Sequence, residues 1–334
     1  MSEPGFRSGF VALVGRPNAG KSTLVNALVG EKVAITSERA QTTRHRLRAI
    51  LNSDDAQIIL VDTPGLHKPH DALGEEVNRA TYKAIEDVDV LCFLVDSTQP
   101  VGAGDRWVAE LLSGARGEIP LLAVLTKCDL ATPEQIEAQC AAVTELVAGG
   151  CPARPRRASP TMLPQSENAG LRGVAGYPPA TSSTILELSA LTGAGLTDFV
   201  ETLAKLLPEG PRWFPEDMTT DQPIEVMIAE FIREKALRLT FEEVPHAIGV
   251  AINDLEQTEN GKLTRIFATL YVEHESQKGI VVGKGGVQIK RIGSEARVDL
   301  ERLLGAKVFL DLRVKVKKNW RRNAVQIRRF GYGD

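Results

Sequence analysis

Gly15-Arg16-Pro17-Asn18-Ala19-Gly20-Lys21-Ser22-Thr23 is the stretch from which the rest of the chain is read. An apolar run, Phe10 to Val14, precedes it, and an apolar stripe at helical spacing (Leu24, Val25, Leu28, Val29) follows. G-x-x-x-x-G-K-[ST] set between a strand and a helix is the pattern of a phosphate-binding loop. Gly15 and Gly20 permit backbone turns that a Cβ would obstruct, so successive N–H groups can converge on one phosphate. Lys21 can reach the terminal phosphates, and the Ser22 hydroxyl can ligate Mg2+. The positive end of the following helix adds a field of the right sign. Arg16, Pro17, Asn18, Ala19 and Thr23 complete the loop. A chance Gly-rich turn would have to supply both glycines, the Lys-Ser pair and both flanking elements at once, so the stretch is read as a nucleotide-phosphate site.

Beyond the first helix, the polar segment Glu31 to Arg48 carries Gln41-Thr42-Thr43-Arg44. A switch loop belongs there, and Thr43, favoured over Thr42, would complete the Mg2+ shell when a γ-phosphate is present. Ala56 to Val61 reads as a buried strand ended by Asp62-Thr63-Pro64-Gly65. The Asp62 carboxylate can hold Mg2+ through water, and the Gly65 N–H can bond the γ-phosphate and release it after hydrolysis. Leu66 comes next. An apolar side chain cannot orient water, so turnover is expected to be slow or to draw its catalysis from elsewhere.

Two more strands, Val88 to Val95 and Pro120 to Leu125, precede Thr126-Lys127-Cys128-Asp129. A carboxylate at Asp129 can accept guanine N1–H and N2–H2 together, a pair adenine does not offer, while the Lys127 stem covers the base. Thr126 stands where such a motif usually has Asn, and it can tie the loop to the phosphate loop with one donor instead of two. Ile185 to Leu188 reads as a strand, and the turn Ser189-Ala190-Leu191 suits a backbone N–H directed at guanine O6. A helix from Leu196 to Leu207 closes the unit. Strands alternating with helices, phosphate loop first, predict an α/β doubly wound, mostly parallel sheet with its ligand at the C-terminal strand edge.

The chain has 334 residues, 43% apolar and 25% charged, which suits two globular domains. Met1 to Gly9 has no apolar stretch of the secretory kind. Val88 to Val95 is too short to span a bilayer. Four cysteines without a C-x-x-C pair suggest neither a disulfide framework nor a zinc site, and a reducing cytoplasm is expected. The net charge of −3 conceals an asymmetry: from Lys278 onward there are 15 Lys and Arg against 5 Asp and Glu. A basic block on an acidic chain points to a polyanion, nucleic acid before membrane, with a solvated charged face as the bland alternative.

Residues 149–183, rich in Pro, Gly, Ser and Arg, read as a disordered insertion within a first domain spanning 1–207. A Pro-rich joint, 208–223, leads to a second domain, 224–334. There Ile224, Ile228, Phe231 and Ile232 form a helical stripe. Alternating runs at 248–252 and 266–272 make a hairpin turning at 259–261. Gly283-Lys284-Gly285-Gly286 joins two further helices, and Val308 to Val316 supplies a last strand. The order α-β-β-α-α-β with G-x-x-G between its central helices is a smaller α+β unit, the KH arrangement of the second type. In it, Gly283, Lys284, Gly285, Gly286 and Lys290 would meet a single-stranded nucleic-acid backbone. A plain helix–turn–helix is the alternative.

As a set, the motifs at 15–22, 41–44, 62–67, 189–190 and 283–286 make the chain resemble the Era family of bacterial GTPases, over nearly its whole length apart from 149–183. The resemblance implies Mg2+-dependent GTP hydrolysis and binding to the 3′ region of 16S ribosomal RNA during small-subunit assembly. It also implies a monomer, with peripheral association at the cytoplasmic face of the inner membrane. In relatives an Asn matching Asn18 helps to hold K+ at the phosphates, and an apolar residue at the position of Leu66 is usual. Thr126 and the insertion depart from the pattern. An RNA-binding module with guanine nucleotide as a structural ligand remains as a second hypothesis.

Overall fold

The computed structural model describes residues 5–37, 47–66, 72–115, 119–148, 185–241, 244–258 and 260–330. Thr42, Thr43 and the 149–183 segment fall outside them.

The first half runs β1 (Arg7–Gly15), α1 (Lys21–Val29), β2 (Leu47–Asn52), β3 (Ala56–Asp62), α2 (Ala72–Glu86), β4 (Val90–Asp96), α3 (Ala103–Ala115), β5 (Leu121–Thr126), α4 (Pro133–Ala148), β6 (Ile185–Glu187) and α5 (Leu196–Leu206). Its sheet has the order β2-β3-β1-β4-β5-β6, parallel throughout except for antiparallel β2 at the edge. The central strands are apolar in continuous runs because both faces are covered, and side-chain alternation divides them between two cores. Val11, Leu13, Ile58, Leu60, Cys92 and Leu94 pack with Leu24 and Val25 of α1 and Phe199 and Leu203 of α5. Ala12, Val14, Val61, Leu91, Phe93 and Val95 pack on the opposite face with Ile85 of α2, Leu112 of α3 and Val143 of α4.

The second half runs α6 (Ile224–Leu239), β7 (Gly249–Gln257), β8 (Leu263–Val272), α7 (Glu275–Val282), α8 (Val287–Leu304), β9 (Lys307–Val316) and α9 (Ala324–Arg329). β7 pairs antiparallel and β9 parallel with β8. The sheet packs on α6 and α8 through Ile228, Ile232, Ile266, Leu270, Ile292 and Leu300. This is the α-β-β-α-α-β order expected from the sequence, followed by a short helix that the sequence reading did not include.

Between the halves, residues 208–223 are strapped along the first sheet. Buried Gln57 of β3 accepts the N–H groups of Trp213 (2.7 Å) and Phe214 (3.0 Å) and donates to Phe214 O (2.8 Å). Ile50 N donates to Thr219 O (2.9 Å), and Thr220 Oγ1 to Arg48 O (2.8 Å).

The Glu31–Arg48 segment, read as polar, holds a strand start and three buried apolar residues. Leu47 and Arg48 already belong to β2, and Val33, Ala34 and Ile35 are buried. Ile35 packs into the core of the second half, while Met227 of α6 packs into the core of the first. The two halves therefore share apolar contacts, and ionic ones lie beside them. Lys32 meets Glu234 of α6 and Asp299 of α8 (2.7 Å to Asp299), and Lys235 also meets both acids.

Candidate nucleotide site and nucleic-acid face

β1 ends at Gly15 against β4, where an added Cβ would sit 2.5 Å from Leu94 O. The loop returns into α1 through Gly20, whose φ of +85° is in the left-handed region that glycine adopts without strain. Asn18 also takes a positive φ, +65°. Lys21 is buried, and its ammonium donates to Gly15 O (3.1 Å) and Arg16 O (2.8 Å), so the loop is wound around it. Burial lowers its pKa to about 8, with Asp62 opposing the shift. Ser22 Oγ donates to Asp62 Oδ2 at 2.7 Å. A hydroxyl and a carboxylate so placed beside a phosphate loop are the hard-oxygen donors that Mg2+ takes, with phosphate and water filling the other positions.

After β3 the chain crosses directly under this loop. A Cβ on Gly65 would lie 2.7 Å from both the backbone N and the Cα of Pro17, so only glycine fits there. Leu66 N donates to Gly15 O (3.3 Å), and its side chain is buried among α2 and α3 residues. Thr63 Oγ1 donates to Leu13 O (2.7 Å). Thr63 and Leu66 hold the crossing in place and do not face the cavity.

At the far end, Thr126 Oγ1 lies 3.0 Å from Ala19 O and 3.2 Å from Val95 O, which realises the expected tie to the phosphate loop. Lys127 adopts a left-handed conformation (φ +59°) and pairs with Asp96 at 2.6 Å. Burial pushes the Asp96 carboxyl up, but hydrogen bonds from Lys127 and Thr98 outweigh it and hold the pKa below the usual range. Cys128 N donates to Leu188 O (3.2 Å), joining this loop to the end of β6. Ser189 is buried in a turn that Gly195 closes, while Asp129 and Leu191 are exposed.

Four stretches far apart in sequence thus border one cavity of about 800 Å3. Pro17, Asn18, Gly20, Lys21, Ser22, Thr23 and Gly65 line one end, and Thr126, Lys127, Asp129 and Ala190 the other. That volume suits a nucleotide-sized ligand. Gly15, Arg16, Ala19, Asp62, Thr63, Pro64, Leu66 and Ser189 stand behind the lining. The Arg16 side chain in particular turns away to Asp105 at 2.8 Å. Sequence reasoning missed Ile35, Thr36, Ser37, Arg238 and Phe241, which also line the cavity. The apolar triplet 33–35 was a readable signal for the first of these, and nothing local marks the last two.

The G-x-x-G turn lies on α7 and α8. Gly283 (φ +72°), Gly285 (φ +61°) and Gly286 (φ +78°) all take positive φ, and a Cβ on Gly283 would meet Gln288 at 2.7 Å. Lys284, Gly285 and Lys290 are exposed, with Ile280 and Val287 exposed beside them. A bare backbone turn, two lysines and apolar flanks make a surface that can take phosphates on one side and unstacked bases on the other.

Fold and site together define a GTPase: a phosphate loop and the Thr126–Asp129 loop border one cavity at one sheet edge, joined to a KH-type unit. Comparison agrees. Residues 10–127 match the family described as 50S ribosome-binding GTPase, and residues 243–321 match the KH domain. The chain is 44% identical to GTPase Era of Mycobacterium avium over 328 residues, which covers 98% of this chain and 99% of that protein. It is 44% identical to GTPase Era of Mycobacterium tuberculosis over 329 residues, with the same coverage. Among solved structures it resembles an Era variant of Aquifex aeolicus bound to GDP.AlF4- (TM-score 0.83, 34% identity, 98% of this chain and 100% of that one). It also resembles Era in complex with MgGDPNP and nucleotides 1506–1542 of 16S ribosomal RNA (TM-score 0.84, 35% identity, 98% and 100%). The chain belongs to the Era family of GTPases.

Proposed function

We propose that the chain is a GTP-driven switch that binds 16S ribosomal RNA near its 3′ end and assists small-subunit assembly. The reading treats 1–207 as the GTPase domain, 208–223 as the joint and 224–334 as the RNA-binding domain, supported by two sheets with separate cores. Ser22 would ligate Mg2+ directly and Asp62 through water, with Thr43 as the γ-phosphate-dependent ligand. Bound Mg2+ would neutralise charge on the transferring phosphoryl group. Lys21 and the Gly65 N–H would hold the phosphates, and Asp129 would select guanine. Asn18 would hold K+, consistent with its place in the phosphate loop; equal hydrolysis rates in K+ and Na+ at matched ionic strength would remove that role. Peripheral attachment at the membrane would use the basic block from Lys278 onward, which flotation with anionic vesicles tests.

One observation favours a switch over a structural use of nucleotide. Glu234 of α6, in the RNA-binding half, accepts a hydrogen bond from Thr36 N at 2.9 Å. The segment whose arrangement depends on the γ-phosphate thus begins on a bond to the RNA-binding domain. The RNA face is tested by Lys284→Asp with Gly285→Asp, which adds repulsion where phosphate must approach. RNA binding should vanish while GTP hydrolysis persists. Wild-type RNA affinity in that variant would move the interface elsewhere.

A further inference from the structure

α6 reaches the nucleotide cavity with its last turn. Arg238 and Phe241, at and just beyond the end of the helix, line the cavity together with Ile35, Thr36 and Ser37 of the first half. Arg238 is exposed and forms no ion pair with another described residue; Phe241 is 65% exposed. Both stand next to a space that the rest of the lining marks as anionic-ligand territory, with Lys21 and Lys127 against a single carboxylate, Asp129.

We propose that Arg238 and Phe241 are nucleotide contacts supplied by the KH domain, the guanidinium bonding phosphate oxygens and the ring covering the adjoining ribose. The position of α6 argues for the phosphate side. Glu234, one turn before Arg238 and hence on the same face, holds Thr36. Residues 33 and 34 are pinned to α1 by Asn26, whose Oδ1 accepts Val33 N (3.0 Å) and Ala34 N (2.8 Å). α1 starts at the phosphate loop, so the segment that carries Arg238 to the cavity runs beside the polyphosphate end. A planar guanidinium suits that ligand because it bonds two phosphate oxygens at once. Bound nucleotide then bridges the two domains, and its affinity depends on their docking. By reciprocity, docking depends on the nucleotide.

The inference rests on the reading of the cavity as a guanine-nucleotide site, and the test separates the two. Affinity and dissociation rate of a fluorescent GDP are measured on the full chain for wild type, Arg238→Ala, Arg238→Lys, Phe241→Ala and Arg265→Ala. The last removes the same charge from an exposed arginine on β8. Arg238→Ala should weaken GDP about tenfold, a loss in the range of one charge-assisted hydrogen bond. Arg238→Lys should recover part of this and Phe241→Ala should speed release, while Arg265→Ala stays at wild type. Thermal stability without nucleotide should be unchanged in Arg238→Ala and Arg265→Ala, because both side chains are exposed. Wild-type GDP affinity in Arg238→Ala, or an equal loss in Arg265→Ala, would overturn the assignment. A wild-type chain that binds no guanine nucleotide would instead overturn the reading of the cavity.

Discussion

At position 126 one threonine hydroxyl stands between two buried carbonyls, Ala19 O and Val95 O. It has a single proton, so it bonds the phosphate loop more weakly than an amide with two donors would. Thr126→Val keeps the shape and removes the bond, leaving Ala19 O without that donor. Leaving a buried acceptor unmet costs about 1–3 kcal/mol. Nucleotide dissociation from Thr126→Val should therefore be roughly tenfold faster in a stopped-flow chase. An unchanged rate would mean the tie does not order the loop. Residues of this kind were legible in the sequence because their chemistry is local: glycines where backbone must turn or cross, Lys21 inside its own loop, Asp129 at a strand end. Arg16 was legible only in part. Its place in the loop was readable, and its backbone carbonyl accepts from Lys21, but its side chain is taken by Asp105, 89 residues on in the chain, a partner no local pattern announces.

Among the elements, the C-terminal cap was the hardest to read. The run from Lys315 to Arg329 looks like a basic tail, yet Trp320 within it is wholly buried and Ile327 and Phe330 nearly so. Trp320 Nε1 donates to Ala247 O (2.9 Å), and its ring meets Phe330 edge-on with centroids 5.0 Å apart. Arg321 pairs with buried Glu273 at 2.8 Å. Leu73 of α2, from the first half, completes the cluster. The apolar residues are too few and too unevenly spaced for helical periodicity to show, so charge dominated the reading. Trp320→Ala should lower stability by about 3–5 kcal/mol, the usual cost of emptying a buried aromatic site. Denaturant unfolding measures it, and a change within 1 kcal/mol would show the cap to be peripheral. β1, β3, β4 and β5 were legible because strands buried on both faces are apolar in unbroken runs. β2 was not, because an edge strand with polar ends merges into the polar segment before it.

For the whole molecule, the ion cluster between the halves sets a pH window. Burial pushes the Glu234 carboxyl up, but hydrogen bonds from Lys32, Thr36 and Lys235 outweigh it and hold its pKa below 4.5. Asp299 likewise lies below 3.8, burial being outweighed by Lys235 and Lys32. Protonating either acid is harder in the folded chain than in the unfolded one. Their contribution is therefore complete above the unfolded values and is lost as pH falls through the lowered folded ones. Lys235 runs the other way. Burial lowers its pKa, but Asp299 and Glu234 raise it above 10.5, so its share is complete below that value and is lost as pH rises through the raised one. Melting temperature should hold a plateau from about pH 5 to 7, below the range in which buried Lys21 titrates, and fall on the acid side. Lys32→Met should lower the plateau and flatten the acid limb. An acid limb as steep as wild type would show that Lys32 does not hold the two acids ionised.

The same cluster and the Glu234–Thr36 bond join the RNA-binding half to the segment that a γ-phosphate would order, and the central claim is that nucleotide state controls RNA engagement. The direct measurement is affinity of the full chain for a single-stranded 3′ segment of 16S ribosomal RNA, at fixed salt and Mg2+, in GDP and in a non-hydrolysable GTP analogue. The account predicts tighter binding with the analogue by at least fivefold, the low end of ordinary coupling between sites. Equal affinities in the two nucleotides would contradict it and leave guanine nucleotide as a structural ligand of an RNA-binding protein.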